Sequence, residues 1–405
     1  MNTRNRIDLR TADVVITGLQ SWDIPIGSNC KNIARELARD RRVLYVNPPL
    51  DRLGYWRGKE PETIARFRER WKKGNDNPIE VEENLWVYYP HFVADPVARV
   101  PVNGLFNWLN GRNNRRLARG IQAAMKTLGF GPFWHFCDSD MFRSFHLKEL
   151  LNPMHYTYYT RDNLVAVDYW QMQGTRIEPL HMAKADTVAA NSLYLAQLAG
   201  RFNPHSYFVG QGCDLTAFKP ETAGPVPADI AAIAGPIIGY IGSLKALRLD
   251  LNILEHIARE RRDWQLVLVG PEDDAFRASP LHEMPNVHFL GRKDESELAS
   301  YLQTFDVAIN PQRINEITRG NYPRKIDEYL AMGRATVATR TEAMTYFEEH
   351  VSLAEGPGEW VQAIESELAT DGPTLQQERR AFAAEHTWAN NVEELFSSME
   401  KSRDL

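Results

Sequence analysis

The chain has 405 residues, too many for one ordinary domain and enough for two. Apolar residues make up 43% and charged residues 25%, the balance of a soluble globular protein, and a net charge of −6 removes any global reason to expect nucleic acid. Cys30, Cys137 and Cys213 are too far apart for a metal-binding pair, and their odd number argues against a disulfide framework, so a reducing cytoplasm is expected.

The polar residues 1–10 lack the apolar core of a signal peptide, and no run of about 18 apolar residues is present to span a membrane. Val14 to Gly18 is an apolar run closed by glycine, a first strand. A loop through Trp22, Asp23 and Gly27 leads into a helix over 29–39, with Ile33, Ala34 and Leu37 at helical spacing. Val43 to Val46 is a second strand, stopped by Pro48 and Pro49. Strand, loop, helix, strand is the start of a parallel sheet, although the glycines do not form the dinucleotide fingerprint.

Residues 51–78 mix basic and aromatic side chains: Arg52, Tyr55, Trp56, Arg57, Lys59, Arg66, Arg68, Arg70, Trp71, Lys72 and Lys73. A second such patch covers 105–126, with Phe106, Trp108 and Leu109 followed by Arg112, Arg115, Arg116 and Arg119. Either these segments face an anionic membrane surface, or they are solvated helices that bury their Trp and Phe. Strands at 85–89, 133–137, 155–159 and 187–190 continue the α/β alternation to about residue 210.

Pro, Gly and Ala in 221–236 have the composition of a linker. A second α/β series follows, with strands at 237–242, 265–269 and 287–291 and helices at 249–259 and 295–302. Residues 375–401, with Trp388, read as one helical run.

The richest stretch is 310–339. The strand Asp306 to Ile309 runs into a polar loop, then into a helix led by Asn321, Tyr322 and Pro323 and stopped at Gly333. A loop entering a helix N-terminus presents backbone N–H groups to phosphate, and Glu328, with Lys325 on nearly the same face, adds an acceptor for ribose hydroxyls. The competing account is an ordinary α/β loop with solvated charges.

Several phrases occur in order: Ser21-Trp22-Asp23, Val43 to Pro49, Ala185-Asp186-Thr187-Val188 with Asn191-Ser192, Gly212-Cys213-Asp214 with Phe218-Lys219-Pro220, Ile238 to Gly242, Leu268 to Pro271, Asn286 to Gly291, and Pro323 to Gly333. Together they resemble the GT-B glycosyltransferases of the GT4-like retaining type, in the branch that builds bacterial cell-surface polysaccharides such as teichuronic acid. The resemblance implies an α/β GT-B fold of two Rossmann-like parallel-sheet domains facing a cleft. The first, over 1–222, would bind the acceptor, the second, over 236–385, the nucleotide-sugar, and a helix over 386–405 would cross back to the first.

The same resemblance implies roles. Glu328 matches the second glutamate of the family's Glu-x7-Glu motif and would hold the ribose, while the first falls on Gly320 and is missing. Lys245 and Arg248 would meet the diphosphate, with Lys245 equally readable as a solvated loop lysine. Thr318, Asn321, Tyr322 and Lys325 sit in the donor loop, and Gly27 and Ser28 open the helix where the family approaches the diphosphate. The family's His-Asp pair is replaced by Arg161-Asp162, with Arg161 placed to steady the departing phosphate and Asp162 to orient sugar or acceptor. His135 is a further candidate at a strand end, although a lone histidine there is more often structural.

Asp138-Ser139-Asp140 is a DxD triplet in the wrong context for the metal site of the other large glycosyltransferase fold, and Glu272-Asp273-Asp274 reads as an exposed turn. No metal or cofactor is expected beyond the nucleoside-diphosphate sugar, which serves as substrate. The expected partners are that donor, a glycan or lipid-linked acceptor and the inner-membrane surface, in a cytoplasmic or peripheral protein. A sugar-nucleotide epimerase on the same fold and a non-catalytic GT-B partner protein are the alternatives.

Overall fold

The computed structural model describes residues 8–24, 27–52, 65, 69 and 77–404. The basic and aromatic residues between 53 and 76, and residues 1–7, lie outside the described residues. The chain divides into one unit of Met1–Gly210 with Trp388–Leu405 and a second of Gln211–Thr387.

In the first unit the elements follow as β1 (Asp13–Gly18), α1 (Asn29–Ala38), β2 (Val43–Val46), β3 (Leu50–Asp51), β4 (Ile79–Glu82), β5 (Leu85–Tyr88) and β6 (Val93–Ala94). They continue as α2 (Asn103–Leu128), β7 (Phe133–Asp138), α3 (Leu147–Leu151), β8 (His155–Thr160), α4 (Asp168–Lys184), β9 (Thr187–Ala190), α5 (Leu193–Gly200) and β10 (Ser206–Phe208). Eight strands form one sheet in the order β10-β9-β8-β7-β1-β2-β5-β4. Its pairs are parallel except β4 with β5. β3 and β6 form a separate parallel pair.

The apolar runs of β1, β2 and β7 are buried on both faces, as a helix-covered parallel sheet requires. The strand order reverses between β1 and β7, where Gly18 lies opposite Asp138 at the carboxyl ends. Such reversals open a crevice at the strand ends.

The second unit contains α6 (Ala228–Ala231), β11 (Ile237–Ile241), α7 (Leu251–Glu260), β12 (Gln265–Val269), α8 (Asp274–Arg277), β13 (Val287–Gly291), α9 (Leu298–Leu302) and β14 (Val307–Asn310). Then come α10 (Lys325–Ala331), β15 (Ala335–Thr339), β16 (Ser352–Ala354), α11 (Pro357–Thr370) and α12 (Pro373–Ala384). Its six strands are all parallel, in the order β13-β12-β11-β14-β15-β16, and the reversal falls between β11 and β14. Residues 211–236 belong to this unit, because Phe218 and Ile230 are buried in its core.

The single helical run expected over 375–401 is instead two helices, α12 and α13 (Trp388–Asp404), broken at 385–387. Tertiary hydrogen bonds cause the break: the carbonyl of His386 accepts from Cys213 N at 2.8 Å, and its ring is held by Asp327. α13 packs Val392, Leu395, Phe396 and Met399 into the core formed by β1, α1 and Trp134 of the first unit. Burial stabilises each such side chain by roughly 1.5–3 kcal/mol, enough to keep the helix there.

Candidate functional site

In the second unit the chain leaves β11 through Gly242, at φ +145°, and β12 through Gly270, at φ +150°. The two turns nearly touch. A Cβ on Gly270 would lie 1.8 Å from the carbonyl oxygen of Gly242, so only glycine fits. The following loop is pinned on two sides. Leu244 N donates to Pro271 O at 2.8 Å and Ala246 N to Asp273 Oδ2 at 2.9 Å. Asp250 N donates to Pro311 O at 2.9 Å, and Asn315 Nδ2 to Leu247 O at 2.8 Å. The loop carrying Lys245 and Arg248 is therefore stitched to the loop carrying Thr318 and Asn321. Asp273 is half-buried and also caps α8 through Phe276 N, so it is not the exposed turn residue expected.

Lys245 and Arg248 are both exposed. Oriented to satisfy both its ends, the Asn321 amide accepts from Arg248 Nη1 at 3.3 Å and donates to Ile317 O at 3.1 Å. Lys325 is brought against the end of β11. Its ammonium contacts the Tyr240 hydroxyl, lies 4.0 Å from that ring's centroid, and would be 2.8 Å from a Cβ on Gly242. One turn later, Tyr329 fixes α10 against the same strand, accepting from Ile241 N at 3.0 Å.

Glu328 is buried, and its Oε1 accepts from Arg324 Nε at 3.2 Å. Burial pushes its carboxyl above the usual range, and Arg324 and Lys325 pull the other way. Arg324 was not singled out in the sequence, although its spacing four residues before Glu328 is the signal that finds it. The roles of Tyr240 and the Gly242–Gly270 approach left no such local signal.

Two donor-loop residues turn their side chains inward. Thr318 is buried, and its hydroxyl is spent inside the loop, donating to Arg313 O and accepting from Asn315 N at 3.1 Å. Tyr322 is buried against Phe347, its hydroxyl facing Asp327. Both side chains serve the loop and the core. The free amides expected at the helix start are also partly occupied: Arg324 N donates to Tyr322 O and Ile326 N to Pro323 O, at 3.2 and 2.8 Å. Positive charge here comes from side chains more than from the helix end.

In the first unit, Gly27 is exposed, and Ser28 caps α1 by accepting from Lys31 N at 3.3 Å. At the β1/β7 reversal, Asp138 is fully buried, and its Oδ1 accepts from Arg161 Nε at 2.9 Å. Burial raises its carboxyl pKa in spite of Arg161, and its buried Oδ2 makes no hydrogen bond. Arg161 also reaches Asp162 at 3.1 Å, and its guanidinium is held protonated chiefly by Asp138. The structure thus brings together Arg161, Asp162 and Asp138, the last read in the sequence only as part of a triplet. Asp140 is bound elsewhere, to Arg143 at 3.1 Å and Ser144 at 3.3 Å.

His135 is not at a strand end. It is the third residue of β7, opposite Val15 and Tyr156, with no exposed surface. Thr17 Oγ1 lies 3.0 Å from His135 Nε2 and 2.9 Å from Ser144 Oγ, and Nδ1 of the ring has no partner. Burial pushes its pKa down to about 3. A neutral ring sealed in the sheet reaches no substrate.

Residues 235–370 match the family described as Glycosyl transferases group 1. A putative teichuronic acid biosynthesis glycosyltransferase, TuaH of Bacillus subtilis (strain 168), is 27% identical over 221 residues, 51% of this chain and 54% of its own length. The chain thus matches about half the length of that curated relative. Sucrose-phosphate synthase from Thermosynechococcus elongatus superposes with a TM-score of 0.62 at 17% identity, over 94% of this chain and 97% of that one. Anabaena Alr3699/HepE in complex with UDP gives 0.63 at 15% identity, over 95% and 100%. Residues 235–370 therefore belong to the group 1 glycosyltransferases, and the chain that carries them has the GT-B fold of that family and a distant relative in TuaH.

Proposed function

We propose that the protein transfers a sugar, with retention, from a nucleoside-diphosphate sugar to an acceptor hydroxyl, in cytoplasmic assembly of a cell-surface polysaccharide or glycolipid. The observation that carries this is the pairing on one short helix of Lys325, held at the end of β11, with the buried Glu328. Lys325, with Lys245 and Arg248 on the adjoining loop, supplies the cations for a diphosphate whose charge grows as the glycosidic bond breaks. Glu328, polarised by Arg324, is the acceptor for the two ribose hydroxyls. The HepE structures with UDP and with UDP-glucose support a uridine nucleotide as the first donor to try.

In this reading the first unit binds the acceptor, and Arg161 and Asp162 at its strand ends act on the leaving group and the incoming hydroxyl. The test is calorimetric titration with UDP, GDP and ADP, each repeated on Glu328→Ala. One nucleotide should bind and lose at least about tenfold in affinity in the variant. Binding to none, or unchanged binding to the variant, would overturn the reading. Diphosphate release that requires an added acceptor would separate transfer from epimerisation.

A further inference from the structure

The exposed faces of α2 and α4 carry side chains that water does not favour. Val102 is 61% exposed, Trp108 59% and Leu105 49%; on α4, Met172 is 54% and Tyr169 46% exposed. Phe106, by contrast, is buried against Phe142, so only part of this segment's aromatic content serves the core. The two helices form one surface. Arg176 Nη2 donates to Asn107 Oδ1 at 3.1 Å, Gln173 Nε2 reaches Asn103 Oδ1 at 3.2 Å, and the Arg176 guanidinium lies over Phe106. A patch of several large apolar side chains on one face marks an interaction site.

The charge beside the patch selects the partner. α2 holds five basic residues, Arg112, Arg115, Arg116, Arg119 and Lys126, and no acidic one, in a chain whose net charge is −6. Leu105, Trp108, Arg112, Arg115 and Arg119 are spaced three and four apart and all exposed, so one helical face runs from apolar to cationic. Among the described residues Arg115 and Arg119 have no ion-pair partner, while Arg112 pairs with Asp95 at 3.2 Å. The acidic residues near Tyr169 are Asp168, at the start of α4, together with Asp51 and Asp140, and Arg99 and Arg143 lie on the same side.

We propose that this surface of the first unit docks on an anionic lipid bilayer, with Trp108, Leu105, Tyr169 and Met172 at the headgroup boundary and Arg115 and Arg119 against the lipid phosphates. Exposed Trp and Tyr beside arginines suit the wet, anionic boundary of a bilayer. The surface lies in the first unit alone and does not rest on the donor chemistry proposed above.

The test is co-sedimentation of the full chain with phosphatidylcholine vesicles containing about one third phosphatidylglycerol, and with phosphatidylcholine alone. Strong, salt-sensitive binding to the anionic vesicles is expected, with weak binding to the neutral ones. Trp108→Ser with Met172→Ser should lower it by roughly tenfold or more, and Arg115→Gln with Arg119→Gln should remove most of the salt sensitivity. These residues are exposed and outside the donor site, so thermal unfolding and nucleotide binding should match the unaltered protein. Failure of the full chain to sediment with anionic vesicles would overturn the proposal. So would undiminished binding by the variants, or a lipid-free dimer in ultracentrifugation that Trp108→Ser abolishes.

Discussion

Nδ1 of His386 lies 2.6 Å from Oδ1 of Asp327 in the core of the second unit. Asp327 has no exposed surface and precedes Glu328 on α10, and His386 stands two residues before the chain enters α13. The other ring nitrogen of His386 is 2.9 Å from the Tyr346 hydroxyl. The break between α12 and α13 is thus tied to the helix that carries the proposed ribose acceptor. Removing one partner of a buried pair leaves the other uncompensated, typically at a cost of about 3–5 kcal/mol. His386→Ala should lower stability in urea by about 3 kcal/mol. A change below about 0.5 kcal/mol would show that the pair contributes nothing.

Glu178 gives a pH-dependent signature. Its carboxylate accepts from the Tyr158 hydroxyl at 2.9 Å, and burial pushes its pKa up to about 7 from 4.5. The folded state therefore holds this proton at a higher pH than the unfolded chain does. The contribution is fully present below the unfolded pKa and is lost as pH rises towards 7, a change of about 3 kcal/mol. Glu178→Gln should flatten the fall in stability between pH 5 and 8 and exceed the unaltered protein at pH 8. Parallel pH profiles for the two proteins would contradict this.

The turns after β11 and β12 predict an ordered pair of effects. A Cβ on Gly270 would strike the backbone oxygen of Gly242 at 1.8 Å, which no rotamer relieves. A Cβ on Gly242 meets the side-chain ends of Lys325 and Tyr240, both at 2.8 Å, which have more room to move. Both positions also carry backbone strain of about 1–3 kcal/mol for a non-glycine residue. Gly270→Ala should therefore be the more destabilising. Gly242→Ala should fold but weaken nucleotide binding by displacing Lys325, as calorimetry would show.

Lys325 and Glu328 should separate by ligand. If Lys325 meets the diphosphate, Lys325→Ala weakens the nucleoside diphosphate by about tenfold, the scale of one charge-assisted hydrogen bond, and leaves the nucleoside unchanged. Glu328→Gln should weaken both. Equal losses for nucleoside and diphosphate in the lysine variant would move the phosphate site elsewhere.

Arg161 and Asp162 differ in their surroundings, so their substitutions should differ too. Arg161→Met leaves Asp138 fully buried without its ion-pair partner and should cost about 3 kcal/mol at pH 7. The loss should shrink at acid pH, where Asp138 takes up a proton, its pKa being already raised by burial. Asp162 is 42% exposed, and Asp162→Asn should leave stability within about 0.5 kcal/mol while lowering turnover. A pH-independent loss in the arginine variant would argue against an uncompensated Asp138.

The sequence by itself determined the class of the elements and their succession. Apolar runs such as Val14-Val15-Ile16 and Leu266-Val267-Leu268, short and each closed by glycine, read as strands buried on both faces, and the helices between them fit the parallel pairing observed. The spacing of Lys325 and Glu328 on one short helix was legible for the same local reason. Only the tertiary structure decided where the side chains ended. His135 and Tyr322 have ordinary sequence surroundings, yet one is sealed between β1 and β8 and the other lies against Phe347. Asp138 became an ion-pair partner because β8 brings Arg161 beside it, and the expected tail helix broke because His386 found Asp327. Helical and strand periods are written by neighbours a few residues apart. Burial, pairing and strain are set by contacts across tens or hundreds of residues, which no local pattern records.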